Sequence, residues 1–333
     1  MKFFGRNPLV SVVLPSFNHA AFVGEAVRSV LDQTFRDLEL IVVDDASSDG
    51  TADVIASVRD PRLTLIRSSQ NRAVHPRNLA LSQARGRYVA FQNSDDIWVP
   101  GKLAAQLEVL EGESRYAACF TGAEIIDKNG QPANGTWADG IFTTVDRTSP
   151  SWLRHFFEVG NCLPLPSAMV RRSDLIRLGA FRASLVQLAD FDLWIRLATF
   201  GEFHIIPEKL TKVRIIEGVN LSGPSVRAGR RSMIELATVL ERYTESPVLD
   251  LFDRIFPDLP KLLSPGAKKN ALALGAFKRG GAYSLFADRT VARVMEDADE
   301  RADAIAAHGT EFIHTFLARR CESELIWYGA GAS

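Results

Sequence analysis

The chain has 333 residues, room for one large α/β unit and a smaller appendage. With 39 basic and 40 acidic residues its formal net charge is −1, which argues against a polyanion-binding protein and so against nucleic acid as a partner. Cys119, Cys162 and Cys321 are far apart and form no CxxC pair, so neither a disulfide framework nor a zinc cage is expected and a reducing cytosol fits. In chain order, the apolar run at 9–14 stops at Pro15-Ser16-Phe17-Asn18 and predicts a buried strand ending in a loop. Phe22, Ala26, Val30 and Leu31 recur at helical spacing within 20–33. A second strand, 38–43, breaks at Asp44-Asp45-Ala46-Ser47-Ser48-Asp49-Gly50, and a helix follows over 51–58. Strand 63–66, helix 78–84 and strand 88–91 complete the alternation, the last ending at Gln92-Asn93-Ser94-Asp95-Asp96.

Strands alternating with helices predict a mostly parallel, Rossmann-like α/β sheet covered on both faces. Ligands of such sheets sit beyond the carboxyl ends of the strands, which gathers loops 15–18, 44–50 and 92–98 into one crevice. From 112 to 222 the segments shorten, as at 116–121, 167–170, 191–199 and 212–216, and suggest an acceptor-facing half of the same domain. Helical periodicity takes over after Ser222-Gly223-Pro224, with helices expected at 232–243 and 290–317. The division is therefore a domain over 1–224, a helical accessory region over 225–324, and a segment 325–333 that looks like a strand entering a glycine-rich loop, either a tail or the start of a further domain. No apolar leader and no run of about 20 apolar residues is present, so a cytoplasmic chain, at most peripheral at the inner membrane face, is expected. The C-terminal helices can extend an acceptor site, form a homodimer or bridge to another domain.

Two acidic pairs, Asp44-Asp45 and Asp95-Asp96, each follow a strand and should meet at one sheet edge. Crowded carboxylates repel unless a cation or hydrogen-bond donor lies between them. A divalent metal carrying a diphosphate suits the place, because Mg²⁺ and Mn²⁺ prefer oxygen and take few protein ligands when phosphates supply the rest. The plain alternative is that each pair caps a turn or helix, which is the preferred role for Asp49 and Asp53. The six histidines show no HxH or HxxxH spacing, so a histidine metal cluster is not expected.

The succession Val-Ser-Val-Val-Leu-Pro-Ser-Phe-Asn, Leu-Ile-Val-Val-Asp-Asp-Ala-Ser-Ser-Asp-Gly-Thr, Arg77-Asn78, Ala84-Arg85-Gly86-Arg87-Tyr88-Val89-Ala90-Phe91 and Asn93-Ser94-Asp95-Asp96-Ile97-Trp98-Val99-Pro100 closely resembles the family 2 glycosyltransferases of GT-A fold. The likeness continues more thinly through Ala168-Met169-Val170-Arg171-Arg172, Gly179-Ala180-Phe181 and Asp190-Phe191-Asp192-Leu193-Trp194, and leaves out the helical C-terminal third. It implies a nucleotide-sugar donor whose base packs on Phe17 beside Pro15. Asp45 would accept from a uracil or thymine imino group and Asp44 would support the ribose. Arg77 and Ser94 complete the nucleotide-binding positions, Asp95 the metal (Mg²⁺ or Mn²⁺) position, and Asp190 the catalytic base. A glycan, a lipid-linked glycan or a protein would be the acceptor, and surface glycan synthesis the setting.

The chain departs from the family pattern at several points. Asn93 stands where the metal motif commonly has its first Asp, Ala189 replaces an acidic neighbour of the base, and Ala73-Val74-His75-Pro76 replaces a glycine-rich loop. Asp96 is expected to cap the turn into Trp98, Asp192 to be a helix cap or spare acid, and Arg214 is a candidate for stabilising the leaving group. The implied reaction is a single in-line displacement with inversion, Asp190 taking the acceptor proton. A glycosyltransferase-like binding module and a nucleotidyltransferase are the competing functions. Replacing Asp190 tests the first and the identity of the product tests the second.

Overall fold

The computed structural model describes residues 7–71, 75–142, 145–216, 218 and 220–318. Residues 325–333, and 73–74 of the 73–76 loop, lie outside the described residues. The chain divides into two compact units, Met1–Ala228 and Gly229–Ser333.

The first unit runs β1 (Val10–Ser16), α1 (Val23–Leu31), β2 (Leu38–Asp44), α2 (Thr51–Ser57), β3 (Leu63–Arg67), α3 (His75–Gln83), β4 (Tyr88–Phe91), β5 (Ile97–Trp98), α4 (Lys102–Gly112), β6 (Tyr116–Ile126), α5 (Ser149–Glu158), β7 (Met169–Arg171), α6 (Arg172–Leu178), α7 (Ala189–Ala198) and β8 (Glu202–Arg214). These strands make one eight-stranded sheet in the order β3-β2-β1-β4-β7-β6-β8-β5. The β3-β2-β1-β4 half is parallel throughout. β7 is antiparallel to both β4 and β6, β8 runs parallel to β6, and β5 closes the edge antiparallel to β8. This is a mixed α/β sheet of GT-A type, its parallel half being the part in which chain order alternates strand and helix.

β1 and β2 are sealed on both faces, as parallel strands usually are, so Val10, Val12, Val13 and Leu14 are all 0% exposed. Helix α1 covers them with Val23, Ala26, Val27 and Val30, spaced to form one stripe. Gly86 lets the chain enter β4 close to β1, because a Cβ there would lie 2.5 Å from the Ser11 backbone nitrogen. The same spot is pinned by Ser11 Oγ, which donates to Glu39 Oε1 and accepts from the Gly86 amide at 2.8 Å, while Arg85 pairs with Glu39. The Arg-Gly dipeptide is thus a packing device at the amino end of the sheet.

After β8 comes α8 (Val226–Leu240), then α9 (Phe252–Ile255), α10 (Pro265–Phe277), α11 (Gly281–Glu296) and α12 (Ala298–His308). The continuous helix expected over 290–317 is broken at Asp297, whose carboxylate accepts from the amides of Asp299 and Glu300 and starts α12 afresh. Residues 311–318 are again helical. Within this unit α10 meets α12 closely enough that a Cβ on Gly266 would collide with the Glu300 carbonyl, and Lys269 pairs with Glu300 beside that contact. Cys119 and Cys162 are buried free thiols. No helix among the described residues is long and apolar enough to cross a membrane.

Candidate active site

Register sets the site. Pro15 lies opposite Val43 and Ser16 opposite Asp44, and β4 follows β1 on the other side, so the carboxyl ends of β1, β2 and β4 open at one sheet edge. Phe17 is 45% exposed there, so it is not part of the core. Pro15 is half-buried, and Ser16 Oγ is buried without a hydrogen-bond partner.

The loops at this edge are tied to one another by their own polar side chains. The Asn18 amide donates to Ser47 Oγ at 2.9 Å, and the Ser48 amide donates to Asn18 Oδ1 at 2.9 Å. Asp49 accepts from the Ala20 amide and from Thr51, while the His19 amide donates to Thr51 Oγ1 at 2.8 Å. His19 Nδ1 lies 2.7 Å from Ser94 Oγ, which links the first loop to the third. Asn18 and Ala46 hold left-handed backbone at φ of 50° and 63°, a conformation Asn tolerates better than Ala does. Asp49 is therefore occupied with turn and helix-start contacts, whereas exposed Asp53 pairs with Arg67 instead.

Of the first acidic pair, Asp44 accepts from the Ser47 hydroxyl at 2.5 Å and the Ser47 amide at 3.1 Å, so it holds the turn. Asp45 is buried, its amide donating to the Ser16 carbonyl at 2.8 Å. Of the second pair, Asp96 is wholly internal: it accepts from the Arg214 amide at 2.7 Å and from Asn93 Nδ2 at 2.8 Å. Burial, with the Asp95 charge beside it, holds its carboxyl well above the usual carboxylate range. Asn93 thus supplies something an aspartate cannot, a donor to Asp96.

Asp95 is half-buried, and Asn220 Nδ2 makes a long 3.5 Å approach to its carboxylate. Burial raises its pKa, with His19 and Arg214 pulling in the opposite direction. Among the described residues no group of three or more His, Cys, Asp or Glu side chains is disposed to hold a metal alone. The donor chemistry suits a metal that brings its own phosphate oxygens and needs one carboxylate from the protein.

Arg214 does not serve as a leaving-group cation. It is 2% exposed, with Nε on the Asp95 carbonyl, Nη1 on the carbonyls of Asp127 and Lys128, and Nη2 on Glu25 Oε2 at 2.6 Å. Its guanidinium also stacks 5.0 Å over the Phe22 ring. Asp192 is neither cap nor spare acid: fully buried, it pairs with Arg196 at 2.7 Å and lies 3.5 Å from Arg182.

Asp190 sits in the first turn of α7, where Leu188 is the cap residue, so it is not the capping group. Its carboxylate accepts from the Phe191 amide at 2.7 Å and is approached by Asn161 Nδ2 at 3.5 Å. Burial pushes its pKa up to about 6, against the pull of Arg77. Arg77 in turn has its pKa lowered by burial and supported by Asp190, lies 5.9 Å over the Phe181 ring, and keeps a buried Nε without a partner. Phe181 packs edge-on against Phe91, the last residue of β4, at 5.4 Å. Arg77 is therefore grouped with Asp190, a juxtaposition its position in the sequence does not reveal.

Asn78 makes this grouping possible. Its amide nitrogen donates to the Phe181 carbonyl at 2.8 Å and its oxygen accepts from the Phe181 amide at 3.1 Å, fastening α3 to the segment before α7. Asn78→Ala orphans both backbone groups and is expected to destabilise the first unit by about 1–3 kcal/mol. Denaturant unfolding checks this, and activity should fall along with it because Arg77 and Asp190 are separated.

Residues 11–173 match the model of "Glycosyl transferase family 2", and this stretch belongs to that family. Over 128 residues the chain is 43% identical to a putative teichuronic acid biosynthesis glycosyltransferase, TuaG, of Bacillus subtilis, covering 38% of this chain and 50% of that one. Over 109 residues it is 39% identical to the Escherichia coli UDP-Glc:alpha-D-GlcNAc-diphosphoundecaprenol beta-1,3-glucosyltransferase WfaP, covering 32% and 43%. The chain spans about half the length of these relatives, or less. The fold matches Staphylococcus aureus TarS 1–349 in complex with UDP-GlcNAc, with a TM-score of 0.57 at 19% identity, over 90% of this chain and 89% of that one. It also matches the mannosyltransferase PcManGT from Pyrobaculum calidifontis in complex with GDP-Man and Mn²⁺, with a TM-score of 0.54 at 19% identity, over 92% and 88%.

Proposed function

We propose that this chain transfers a sugar, with inversion, from a uridine or thymidine diphosphate donor to a hydroxyl of a lipid-linked glycan during surface polysaccharide synthesis at the cytoplasmic membrane face. The observation that carries the reading is Asp190, a half-buried carboxyl whose pKa is raised to about 6 and which is coupled to Arg77, whose guanidinium lies over Phe181, the ring packed on Phe91 at the end of the strand that leads to Asp95. A base of that strength stays ionised at neutral pH and still accepts a proton usefully.

Phe17 packs on the base beside Pro15, Asp45 accepts its imino proton, and Asp44, Ser94 and the Ser16 hydroxyl lie along the ribose and phosphate side. The acceptor oxygen attacks the anomeric carbon as its proton passes to Asp190. The bond from that carbon to the diphosphate breaks, and its electron pair leaves with the diphosphate. Asp95, together with the donor phosphates, would hold a divalent cation, Mg²⁺ or Mn²⁺, which would supply charge neutralisation at the leaving group. The acceptor class is supported by the names of TuaG and WfaP.

A thermal-shift screen of nucleotide sugars with Mn²⁺ or with chelator tests the donor half. A donor at a hundredfold excess over its Kd stabilises by about 2.7 kcal/mol, a Tm rise of roughly 5–10 °C. The rise should appear with UDP- or dTDP-sugars and shrink on chelation. No shift with any of them, or release of pyrophosphate in place of nucleoside diphosphate during turnover, overturns the reading.

A further inference from the structure

We propose that the outward face of α8 seats this protein on a bilayer surface rich in anionic lipid. The proposal rests on the lipid-linked acceptor proposed above, since it supplies the contact by which a chain with no membrane-spanning helix among its described residues reaches such a substrate.

Between Gly218 and Ile234 the sequence carries Arg227, Arg230 and Arg231 and no acidic residue. Ser225 starts the helix, its hydroxyl accepting from the Ala228 amide at 3.0 Å. Val226, Arg230, Met233 and Ile234 then fall at i, i+4, i+7 and i+8, a single stripe with Arg227 along its flank. Val226 is 76% exposed, Ile234 51% and Met233 42%. The other side of the helix is buried through Ala228, Glu235 and Val239. Arg227 and Arg230 are exposed and make no ion pair among the described residues.

Aliphatic side chains of moderate size interleaved with unpaired arginines are what an interfacial helix presents. The apolar groups enter the acyl boundary while the guanidinium groups meet lipid phosphates. A second copy is a poorer occupant, because an isologous contact through this face sets the arginines of one chain against those of the other.

Co-sedimentation with phosphatidylcholine vesicles, with and without phosphatidylglycerol, tests the proposal on the full chain. Binding is expected only with the anionic lipid and should weaken as salt screens it. Each surface arginine accounts for roughly fivefold in affinity, so Arg227→Gln with Arg230→Gln is expected to lose about 25-fold. Val226→Ser with Ile234→Ser should also release the protein, with thermal midpoints confirming that both variants fold. Equal binding to neutral and anionic vesicles overturns the proposal. So do wild-type-like binding by the arginine variant and a vesicle-free dimer dispersed by the serine variant. UDP-sugar binding measured without vesicles reads the enzymatic proposal separately: its loss sinks that proposal, whereas vesicle binding lost with donor binding intact sinks only this one.

Discussion

Asp190→Asn is expected to lower turnover by roughly 10²–10⁴-fold, the range a general base contributes, while donor affinity stays close to that of the parent. Asparagine keeps the shape and the contact with the Phe191 amide and removes only the proton-accepting charge. The pH profile supplies a second readout. With a pKa of about 6, kcat/KM should be low in acid, rise as Asp190 ionises through that pH, and level off above it. Arg77 holds that pKa down, so Arg77→Met should move the rising limb to higher pH. Unchanged turnover in Asp190→Asn, or a profile that does not move with Arg77, would remove Asp190 from the role of base. Equal and negligible activity in parent and variant would favour a binding module.

Arg214→Ala should cost on the order of 3–5 kcal/mol of stability, because it strips a charged, buried donor from three backbone carbonyls and leaves a space beneath Phe22. The lost Glu25 pairing matters less, since Glu25 is half exposed to water. Arg214→Lys keeps the charge but cannot fork between the 95 and 127–128 carbonyls, and should recover only part of the loss. Chemical denaturation of the three proteins measures this. A cost below about 1 kcal/mol for the alanine variant would contradict the clamp.

The parallel half of the sheet was legible because doubly buried strands are unbroken apolar runs, and each stops at a polar cluster that must reach water or ligand. The other half was not. β5 and β7 are two and three residues long, too short for any period to register. β8 runs from Glu202 to Arg214, yet Pro207, Glu208 and Lys209 interrupt its apolar character where β6 shifts register around Gly122. Only its final residues had looked like a strand. The donor-side residues could be placed because each directly follows a strand of known order. Arg214 and Arg77 could not, as their partners lie 189 residues away at Glu25 and on the far segment at Asp190. Asn93 looked like a lost metal ligand. With Asp96 in view it is also the donor that lets a buried acid stay where it is.

The cross-bracing of Asn18, Ser47, Ser48, Asp49 and Thr51 divides the crevice into two kinds of material. Under the proposed function these donor-side loops are already ordered by folding, so a nucleotide loses little affinity to arranging them. Asp190 is set from elsewhere: Arg77 and Asn161 lie beside it, and Asn78 fastens α3 to Phe181 in the segment ahead of α7. Under the proposed function, substitutions around Asp190 can change the acceptor while the cross-braced loops go on receiving the same donor.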